Sequence, residues 1–419
     1  MNEQEQTKSW DVAVVGGGPA GMMAAGRAAE AGAKVILLEK NPTLGVKLLI
    51  TGGGRCNVTN AQYDVRTFLT KYKDSDKFLF SAFSQRDVKD AIEFFNGRGM
   101  PTKIEAENRV FPASNSAQSV WDVLVEYMKK GNVHIKTKAV VDGFETKNGV
   151  ITSVALKGGE KIFAKKFIVA TGGTSRPETG STGEGFSWLK KLGHTIVKSD
   201  AALVPVSISD AWVKQAQGVA LKDIKLTTFQ NNQKQESHKG KILFTHFGIS
   251  GPTVLNMSKD IGELLKYGEV IIKLDLLPSL DHGMMNTKLQ ELFKIDDKKK
   301  IKNSLGSLIP SALVDAVIEI AGINADKTNN GVSREERLKL IDVIKGMPMN
   351  VTGLLGSDKA VVSSGGVVLT EVDFKTMQSR IVPNLYLVGD VLNIDRPSGG
   401  YSLQLCWTTG WVAGNSAAI

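Results

Sequence analysis

The N-terminal part of the chain contains a pattern that few folds accommodate. Residues 11–40 read DVAVVGGGPAGMMAAGRAAEAGAKVILLEK, which is an apolar strand, a glycine turn, an alanine-rich helix and a second apolar strand. This order predicts a βαβ unit of a parallel sheet, with the helix beginning directly at the turn. Unpaired amides and the positive end of the helix dipole meet at such a helix start, so a diphosphate binds well there.

The positions of the glycines match this chemistry. Gly16 permits the tight strand-to-helix turn, Gly18 leaves space where a pyrophosphate approaches the backbone, and Gly21 lets the helix pack closely on the sheet. Glu39 ends the second strand, close to the usual spacing of roughly 20 residues for an acid that accepts hydrogen bonds from ribose hydroxyls. The pattern predicts a dinucleotide site, and the alternative is a glycine turn in an ordinary α/β protein.

Length and hydropathy limit the overall class. A chain of 419 residues suggests two or three domains. No run approaches the ~20 apolar residues that a membrane helix needs. The polar N-terminal residues MNEQEQTKSW do not resemble a signal peptide. We therefore expect a cytoplasmic protein without a membrane segment.

Cysteine usage and net charge narrow the chemistry. Cys56 and Cys406 are far apart and form no CxxC motif, which argues against a disulfide framework or a dithiol relay. No His and Cys residues have metal-ligand spacing, so no metal is predicted. The net charge of +9 favours contact with a polyanion such as RNA, although many basic enzymes bind no nucleic acid.

The order of elements predicts an α/β fold that an insert interrupts. Residues 61–130 have mainly helical periodicity. Residues 201–280 alternate in short β-rich runs, which predicts a small β-barrel, and residues 281–346 predict a helical subdomain. Residues 1–200 and 347–419 are expected to form one discontinuous Rossmann-type domain, because neither piece contains a complete sheet.

Two later motifs also resemble the ends of buried strands. They are residues 170–173, which read ATGG, and Gly389 with Asp390 near the C-terminus. Parallel sheets bind ligands at the carboxyl ends of their strands, so these turns and residues 16–21 are expected to meet one ligand. A ligand that reaches all three is extended, and this favours FAD over a freely exchanging NAD.

At this level of detail the chain resembles the BaiN/YhiN-like family of FAD-dependent flavoproteins. The stretches that carry the resemblance are GGGPAGMMAA, TGGGRCNVTN, ATGGTSRPETGSTGEGF, LFTHFGISGP, SSGGV and GDVLNIDRPSGGYSLQ. They occur in the expected order over nearly the whole chain. The resemblance implies an FAD-binding domain of the two-dinucleotide-binding type with an inserted β-barrel and a small helical subdomain.

The resemblance also implies the residues that line the cofactor. These are Gly16, Gly18, Gly21, Glu39 and Lys40 at the ADP half, Arg55, Cys56 and Asn57 near the diphosphate and flavin, and Thr171, Gly172, Asp390, Gly400 and Tyr401 along the remainder. The chain departs from the family pattern at two positions. Asp390 stands where Glu is frequent, and Ser402 stands where Asn is frequent.

Reduction of an activated C=C bond requires a hydride at one carbon and a proton at its neighbour. Cys56 is a candidate proton donor, and its alternative role is that of a small buried residue supporting the glycine loop. His246 on an insert loop is either a donor or structural. Tyr401 either donates or stacks near the flavin ring, or simply packs. Arg55 and Arg396 are candidate ligands of phosphate groups.

The resemblance implies an FAD-dependent oxidoreductase whose substrate depends on the branch of the family. One branch is associated with unsaturated bile-acid intermediates, one with aminoacetone, and one with a uridine of large-subunit ribosomal RNA. The basic charge makes the ribosomal uridine our leading substrate, with NAD(P)H as a transient electron donor because only one dinucleotide fingerprint is present. The alternatives are a small-molecule flavin oxidase or reductase, and an FAD-containing factor that binds RNA or protein without catalysis.

Overall fold

The computed structural model describes residues 9–197, 201–355, 362–363 and 365–419. Residues 1–8 of the polar N-terminal segment and Ser364 of the SSGGV stretch lie outside the described residues. The chain divides into two compact units, Met1–Asp200 with Val361–Ile419 and Ala201–Ala360. We call them the Rossmann unit and the insert unit. Each has its own hydrophobic core.

The Rossmann unit contains both ends of the chain. Its elements are β1 (Trp10–Val15), α1 (Pro19–Glu30), β2 (Val35–Leu38), α2 (Val46–Ile50), β3 (Thr59–Asn60), α3 (Val65–Leu69), α4 (Asp76–Gln85), α5 (Val88–Asn96), β4 (Thr102–Glu105), β5 (Arg109–Pro112), α6 (Ala117–Lys130), β6 (His134–Lys136), β7 (Val141–Lys147), β8 (Val150–Leu156), β9 (Lys161–Val169), α7 (Glu184–Lys191) and β10 (Ile196–Val197). The insert unit begins with β11 (Ala201–Ala202), and the Rossmann unit resumes with β18 (Val362–Ser363), β19 (Gly366–Val367), β20 (Leu385–Leu387) and α14 (Tyr401–Ala417).

The main sheet of the Rossmann unit has the strand order β6-β2-β1-β9-β8-β7, with β20 also paired to β9. Strands β6, β2, β1, β9 and β20 run parallel, whereas β8 pairs antiparallel with the first half of β9 and β7 pairs antiparallel with β8. The strands β1 and β2 are almost entirely buried and apolar, as expected of a parallel sheet covered on both faces.

Helices α1 and α14 pack with unusually close backbones. A Cβ atom at Gly410 would lie 2.5 Å from the carbonyl oxygen of Ala20, and one at Gly414 would lie 2.4 Å from that of Ala24. Small residues on both helices allow this approach. The C-terminal helix is therefore joined to the first βαβ unit, although the two are separated by almost the whole chain.

Residues 61–130 are less uniformly helical than their periodicity predicts. Helices α3 to α6 lie in this range, but β4 and β5 form an antiparallel pair that β3 extends to three strands. Glu107 and Asn108 take positive φ in the turn between them. A short hairpin of this kind gives too few alternating positions to stand out among amphipathic helices.

The insert unit begins as a closed barrel of six strands and continues as a helical subdomain. After β11 its elements are β12 (Val206–Ile208), α8 (Ala211–Gln215), β13 (Ala220–Gln230), β14 (Gln233–Thr245), β15 (Gly248–Ser250), α9 (Pro252–Leu265), β16 (Val270–Asp275), α10 (His282–Ile295), α11 (Ile301–Leu305), α12 (Ser311–Ile320), α13 (Arg334–Lys345) and β17 (Met347–Leu354). The barrel order is β12-β15-β14-β13-β16-β17.

The predicted domain boundary at residue 347 is wrong. Strand β17 pairs with β16 and β12 and closes the barrel, so residues 347–354 belong to the insert unit. The chain returns to the Rossmann unit only after the helical subdomain and this last barrel strand. The sequence of a single strand after a long helical stretch does not show which sheet the strand joins. Tertiary contacts decide that pairing, and the sequence pattern does not contain them.

A largely buried ion pair joins the helical subdomain to the barrel. The Lys345 ammonium at the end of α13 lies 2.7 Å from the Asp275 carboxylate at the end of β16. It also donates to the carbonyls of Leu277 and Leu280. Within the described ranges, no helix combines the length and apolarity that crossing a bilayer requires.

Alanine at Gly410 should destabilise the protein. The added Cβ meets the Ala20 carbonyl, and overpacking of this kind costs about 1–3 kcal/mol. Urea denaturation measures the free energy of unfolding. Gly143→Ala is the control, since a Cβ at Gly143 has no neighbour within 4 Å. Equal stability of the two variants would contradict the packing described for α1 and α14.

Candidate cofactor site

The candidate site lies where the parallel strands of the Rossmann unit end. The Ala170 amide after β9 donates to the Val15 carbonyl at 2.8 Å, and the Val388 amide after β20 donates to the Val169 carbonyl at 3.2 Å. The turns that follow β1, β9 and β20 therefore lie side by side. They form one edge of the sheet, as the three motifs predict.

The three glycines of the first turn have three different environments. Gly16 has a φ of +106°, and a Cβ there would lie 2.5 Å from the Ala170 carbonyl oxygen. A Cβ at Gly21 would lie 1.9 Å from the Gly16 carbonyl oxygen. A Cβ at Gly18 would meet no protein atom within 4 Å. Gly16 and Gly21 are thus required by the fold, whereas Gly18 borders open space.

This open space lies at the start of α1. Gly18 is the N-cap with a φ of −80°, Pro19 follows it, and neither a side-chain cap nor an acidic residue occupies the first turn. The first-turn amides and the positive end of the helix dipole are therefore not neutralised by an acidic residue of the helix itself. The negative charge of a diphosphate suits this glycine cradle at the helix start, and a Cβ at Gly18 would meet no protein atom within 4 Å. Both observations agree with the dinucleotide site predicted from the sequence.

Glu39 lies at the end of β2 beside the same turn. Its carboxylate is buried and accepts hydrogen bonds from the Gly17 amide at 2.7 Å and from the Asn41 amide at 2.8 Å. These two bonds fix the position of the carboxylate relative to the glycine turn. Each carboxylate oxygen retains acceptor capacity, so the predicted bond to a ribose hydroxyl stays a prediction.

Lys40 extends from this strand end to the loop before α7. Its ammonium donates to the Thr182 hydroxyl and to the Glu184 carboxylate, both at 2.9 Å. The side chain of Asn41 donates to the Thr179 carbonyl at 3.0 Å. Lys40 therefore holds the loop that follows the ATGG turn close to the end of β2.

A group of charges surrounds Asp390 at the turn after β20. Its carboxylate accepts a hydrogen bond from the Arg396 guanidinium and lies 3.7 Å from the Lys47 ammonium of α2. Burial raises the pKa of the Asp390 carboxyl, but the two cations outweigh burial and hold that pKa below its ordinary value. Asp390 is therefore an ionised acceptor at the edge where the three turns meet.

Arg396 acts on Asp390 from inside the protein. Its side chain has no exposed area and also donates to the Ile394 carbonyl and the Ser402 hydroxyl. It therefore positions Asp390 and does not reach a substrate phosphate, which corrects the role considered for it from the sequence. The two departures from the family pattern, Asp390 and Ser402, share this one partner.

The turn after β9 contains Thr171 and Gly172. Gly172 has a φ of +73°, and a Cβ there would lie 3.0 Å from the Ser181 hydroxyl. The Thr171 hydroxyl is buried, and a Cβ at Gly185 would come within 2.2 Å of it. The ATGG turn and the start of α7 are therefore in direct contact, with no room for larger side chains.

The TGGGRCN stretch forms a turn with repeated left-handed backbone. Gly52 and Gly53 have φ values of 57° and 68°, and Cys56 has a φ of 59°. The Arg55 guanidinium bonds Asn115 at 2.6 Å, pairs with Glu105 and lies over a phenylalanine ring. Arg55 thus anchors the turn to the small sheet, and its predicted contact with the cofactor stays a prediction.

Cys56 is enclosed in the core of the Rossmann unit. Its exposed fraction is 0%, and burial raises the pKa of its thiol to about 12, against the opposing effect of a hydrogen bond with Thr51. The thiol therefore remains protonated but has no access to solvent. This environment favours the packing role for Cys56 over that of a proton donor.

Asn57 connects the glycine turn to the start of α14. With its amide group oriented to satisfy its neighbours, the side-chain oxygen accepts from the Gly400 amide at 3.0 Å and the nitrogen donates to the carbonyls of Thr59 and Val110. Gly400 has a φ of +103°, and a Cβ there would lie 2.3 Å from the Thr59 carbonyl carbon. Glycine is therefore required at the N-cap of α14.

Tyr401 begins α14 within an aromatic cluster. Its ring centroid lies 4.9 Å from that of Phe68 and 6.1 Å from that of Tyr72, whose hydroxyl donates to the Tyr401 carbonyl. Burial raises the pKa of the Tyr401 phenol. Most of the side chain thus serves packing, and the phenol stays protonated at neutral pH.

His246 belongs to the insert unit. It lies on the exposed turn between β14 and β15, and its ring contacts that of Phe247 edge-on at 4.9 Å. Its role as a proton donor stays a prediction. Across the described ranges no group of His, Cys, Asp and Glu side chains has an arrangement suited to a metal ion, and both cysteines are free thiols.

Sequence reasoning missed Lys47. The residue lies on α2, where its ammonium donates to the Ser175 hydroxyl at 3.0 Å and approaches Asp390. A lysine beside the glycine-rich stretch was the available signal. Its distance from Asp390 along the chain concealed the pairing.

The parallel sheet, its three adjacent turns and the glycine cradle define a Rossmann-type flavoprotein, an FAD-dependent oxidoreductase. The chain belongs to the family described as HI0933-like protein Rossmann domain, which matches residues 10–416. The match confirms the family resemblance, the fold class and the choice of FAD. The cradle at Gly18 is the structural feature that fits this cofactor.

Relatives of similar length have two kinds of name. The 3-dehydro-bile acid delta(4,6)-reductase of Clostridium scindens is 29% identical over 97% of this chain and 98% of its own. The ribosomal RNA dihydrouridine synthase of Escherichia coli is 29% identical over 96% of both chains. The same-named protein of Haemophilus influenzae is 28% identical over 95% of this chain and 96% of its own.

Solved structures share the fold. The 3-ketosteroid delta1-dehydrogenase of Sterolibacterium denitrificans superposes with a TM-score of 0.57 at 12% identity, over 98% of this chain and 100% of its own. A flavocytochrome c3 fumarate reductase superposes with a TM-score of 0.51 at 17% identity, over 99% of this chain and 79% of its own.

Alanine at Gly18 should impair FAD binding without impairing folding. Its φ of −80° suits any residue, and the added methyl group enters only the cradle. We expect FAD to bind at least about tenfold more weakly, or about 1.4 kcal/mol. Flavin absorbance during titration of the apoprotein measures this. Gly21→Ala is the contrast, because it clashes with the Gly16 carbonyl and should lower the melting temperature of the apoprotein. Tight FAD binding by Gly18→Ala would contradict the cradle.

Replacing Asp390 by Asn should destabilise the protein in a pH-dependent way. The substitution leaves the buried Arg396 cation without its carboxylate, which costs about 3–5 kcal/mol at neutral pH. Because the folded-state pKa of Asp390 lies below its ordinary value, the wild type retains this stabilisation above about pH 4 and loses it as the pH falls through the folded pKa. Urea denaturation across this range should show the two proteins converging in acid.

The control for this experiment is Glu105→Gln. Glu105 pairs with Arg55 in a partly exposed position, so its loss should change stability little. The assigned charge state would be contradicted if Asp390→Asn lowered the free energy of unfolding no more than the control does. It would also be contradicted if the loss of stability persisted unchanged in acid.

Proposed function

We propose that this protein reduces a uridine of large-subunit ribosomal RNA to dihydrouridine, with FAD as cofactor and NAD(P)H as electron donor. The observation that carries the proposal is the pair of relatives named ribosomal RNA dihydrouridine synthase, which align over nearly their whole length. Both the Rossmann unit and the insert unit are included in these alignments. The residues that would select a substrate therefore have counterparts in those relatives.

A reductase of an unsaturated steroid-like acid is the second candidate. The bile-acid reductase of Clostridium scindens is as similar to this chain as the Escherichia coli synthase is. Net charge favours the RNA, because a chain with a charge of +9 attracts a polyanion over a long range. Binding a small acid with a single carboxylate requires no such excess of positive charge. Both candidates share the reduction of an activated C=C bond.

The chemistry requires a cofactor, a proton donor and a fixed geometry. Bound FAD supplies hydride transfer. In our proposal Gly18 and the start of α1 bind the diphosphate, Glu39 accepts from the ribose, and Asp390 orients the chain between diphosphate and flavin. His246 donates the proton to the uracil ring. Its exposure supports this role, because an incoming base can contact it, whereas Cys56 is enclosed.

NAD(P)H would bind only briefly. The sequence contains one GxGxxG fingerprint, and the open space beside it accommodates the diphosphate of FAD. A separate nicotinamide domain is therefore not part of the proposal. Anaerobic titration of the purified holoenzyme tests the donor: bleaching of the flavin by NADH or NADPH supports it, and an unchanged spectrum with both excludes them.

Deletion of the gene should remove one dihydrouridine from large-subunit ribosomal RNA. Mass mapping of the RNA detects the loss, and wild-type protein should restore the base. His246→Gln should restore it about 10²–10⁴ times more slowly, the usual contribution of a general acid. His282→Gln, on an exposed helix of the same unit, is the matched control.

Two results would overturn the proposal. Retention of every dihydrouridine in the deletion strain removes the RNA substrate while leaving the flavin assignment intact. Equal rates for the two histidine variants remove the role of His246. Rapid anaerobic reoxidation of the reduced holoenzyme by an unsaturated bile acid, without any effect on RNA, would favour the second candidate.

A further inference from the structure

A groove of about 280 Å³ lies at the edge of the Rossmann sheet where β1 and β9 begin. It is therefore remote from the glycine turns, which follow the other ends of these parallel strands. Trp10 and Ile36 line it from the central strands, His134 and Lys136 from the edge strand β6, and residues 160–163 from the start of β9. None of these residues belongs to the cofactor site described above.

The groove contains a stacked pair of aromatic rings. The centroids of Trp10 and His134 lie 5.2 Å apart, with an angle of 23° between the ring planes. Trp10 is only 7% exposed, whereas His134 is exposed. The Lys34 ammonium lies 5.0 Å from the centroid of the Trp10 ring. A supported, exposed imidazole of this kind is a platform on which a nucleobase can stack.

Four lysines lie at the groove or beside its stacked rings. Lys136 and Lys161 line the groove, the Lys34 ammonium lies over the Trp10 ring, and Lys165 pairs with Asp11, the residue next to Trp10. Three carboxylates partly balance them, since Glu160 pairs with Lys136, Glu145 with Lys161 and Asp11 with Lys165. The lysines exceed these carboxylates, so the border retains a positive charge. Such a border matches the repeated negative charge of a phosphate backbone.

We propose that this groove binds a single-stranded segment of RNA, with one base stacked on His134 and the flanking phosphates on the lysines. The inference rests on the proposed function, because it assumes that the substrate is an RNA. The volume is just below the roughly 300–1,000 Å³ of ordinary small-molecule pockets, which suits one base better than a whole dinucleotide. The groove would hold the RNA at a point other than the uridine that is reduced.

The charge on the groove is tested with a labelled oligouridylate and the FAD-loaded protein. Fluorescence anisotropy gives the affinity at several salt concentrations. Lys161→Glu combined with Lys165→Glu should weaken binding at least tenfold and reduce the salt slope by about 1 per lost phosphate contact. Lys190→Glu combined with Lys191→Glu makes the same change of charge on α7 and should weaken binding less than about threefold. Flavin absorbance of each variant shows that the fold and the cofactor site are intact.

The stacking contact has its own pair of variants. His134→Ala should reduce the affinity severalfold and abolish ultraviolet cross-linking of the RNA to the peptide that contains residue 134, whereas His134→Tyr should retain both. His282→Ala, which removes an exposed histidine of the insert unit, should leave both unchanged.

Four outcomes would contradict RNA binding in the groove. The wild type does not bind the oligouridylate, or the two lysine pairs weaken binding equally. Alternatively, cross-links form only outside the groove, or free uridine monophosphate competes as effectively as the RNA does. The last result would indicate a mononucleotide site. The experiments separate failure of the groove from failure of the proposed function. If gene deletion removes a dihydrouridine but the groove variants bind RNA normally, only the groove proposal is refuted. If every dihydrouridine is retained but the groove variants bind RNA poorly, only the proposed reaction is refuted.

Discussion

The site depends on the close contact of backbone with backbone around the first glycine turn. The Gly16 carbonyl lies where a side chain at Gly21 would be, and Gly16 itself lies against the Ala170 carbonyl of the neighbouring strand end. Helix α1 consequently begins directly at the carboxyl edge of the sheet, with its amides toward the open space beside Gly18. On its other side, α1 is in equally close contact with the glycines of α14. The first and last elements of the chain thus form one rigid support for a diphosphate.

Charge at this edge is arranged around a single carboxylate. Asp390 is paired with the buried Arg396 and approached by Lys47, so it remains ionised in spite of burial. A buried ion pair is weak evidence for stability, because desolvation offsets much of the attraction. Its value here is positional: Arg396 is fixed by Ser402 and the Ile394 carbonyl and in turn fixes the direction of the Asp390 oxygens.

Sequence patterns predicted those elements whose conformation depends on residues close together in the chain. The βαβ unit and the choice of FAD followed from residues 11–40 and from two further glycine turns, because such turns need particular backbone angles and close approaches. The family followed from the resemblance of longer stretches along nearly the whole chain. The hairpin of β4 and β5 was missed because it is short and lies among amphipathic helices. The assignment of β17 was wrong because an isolated strand contains no information about which sheet it joins. The role of Lys47 was missed because its partner is far away in the chain.

The amino-acid sequence by itself determined that a parallel sheet with a diphosphate-binding glycine turn forms, since these features depend on residues adjacent in the chain. Only the tertiary structure decided what lies beside that turn. It enclosed Cys56, directed Arg396 to Asp390 and placed Lys47 near the same carboxylate, because distances between side chains from different elements depend on how those elements pack. The same packing brought Trp10 and His134 together at the opposite end of the sheet, which no local pattern of residues encodes.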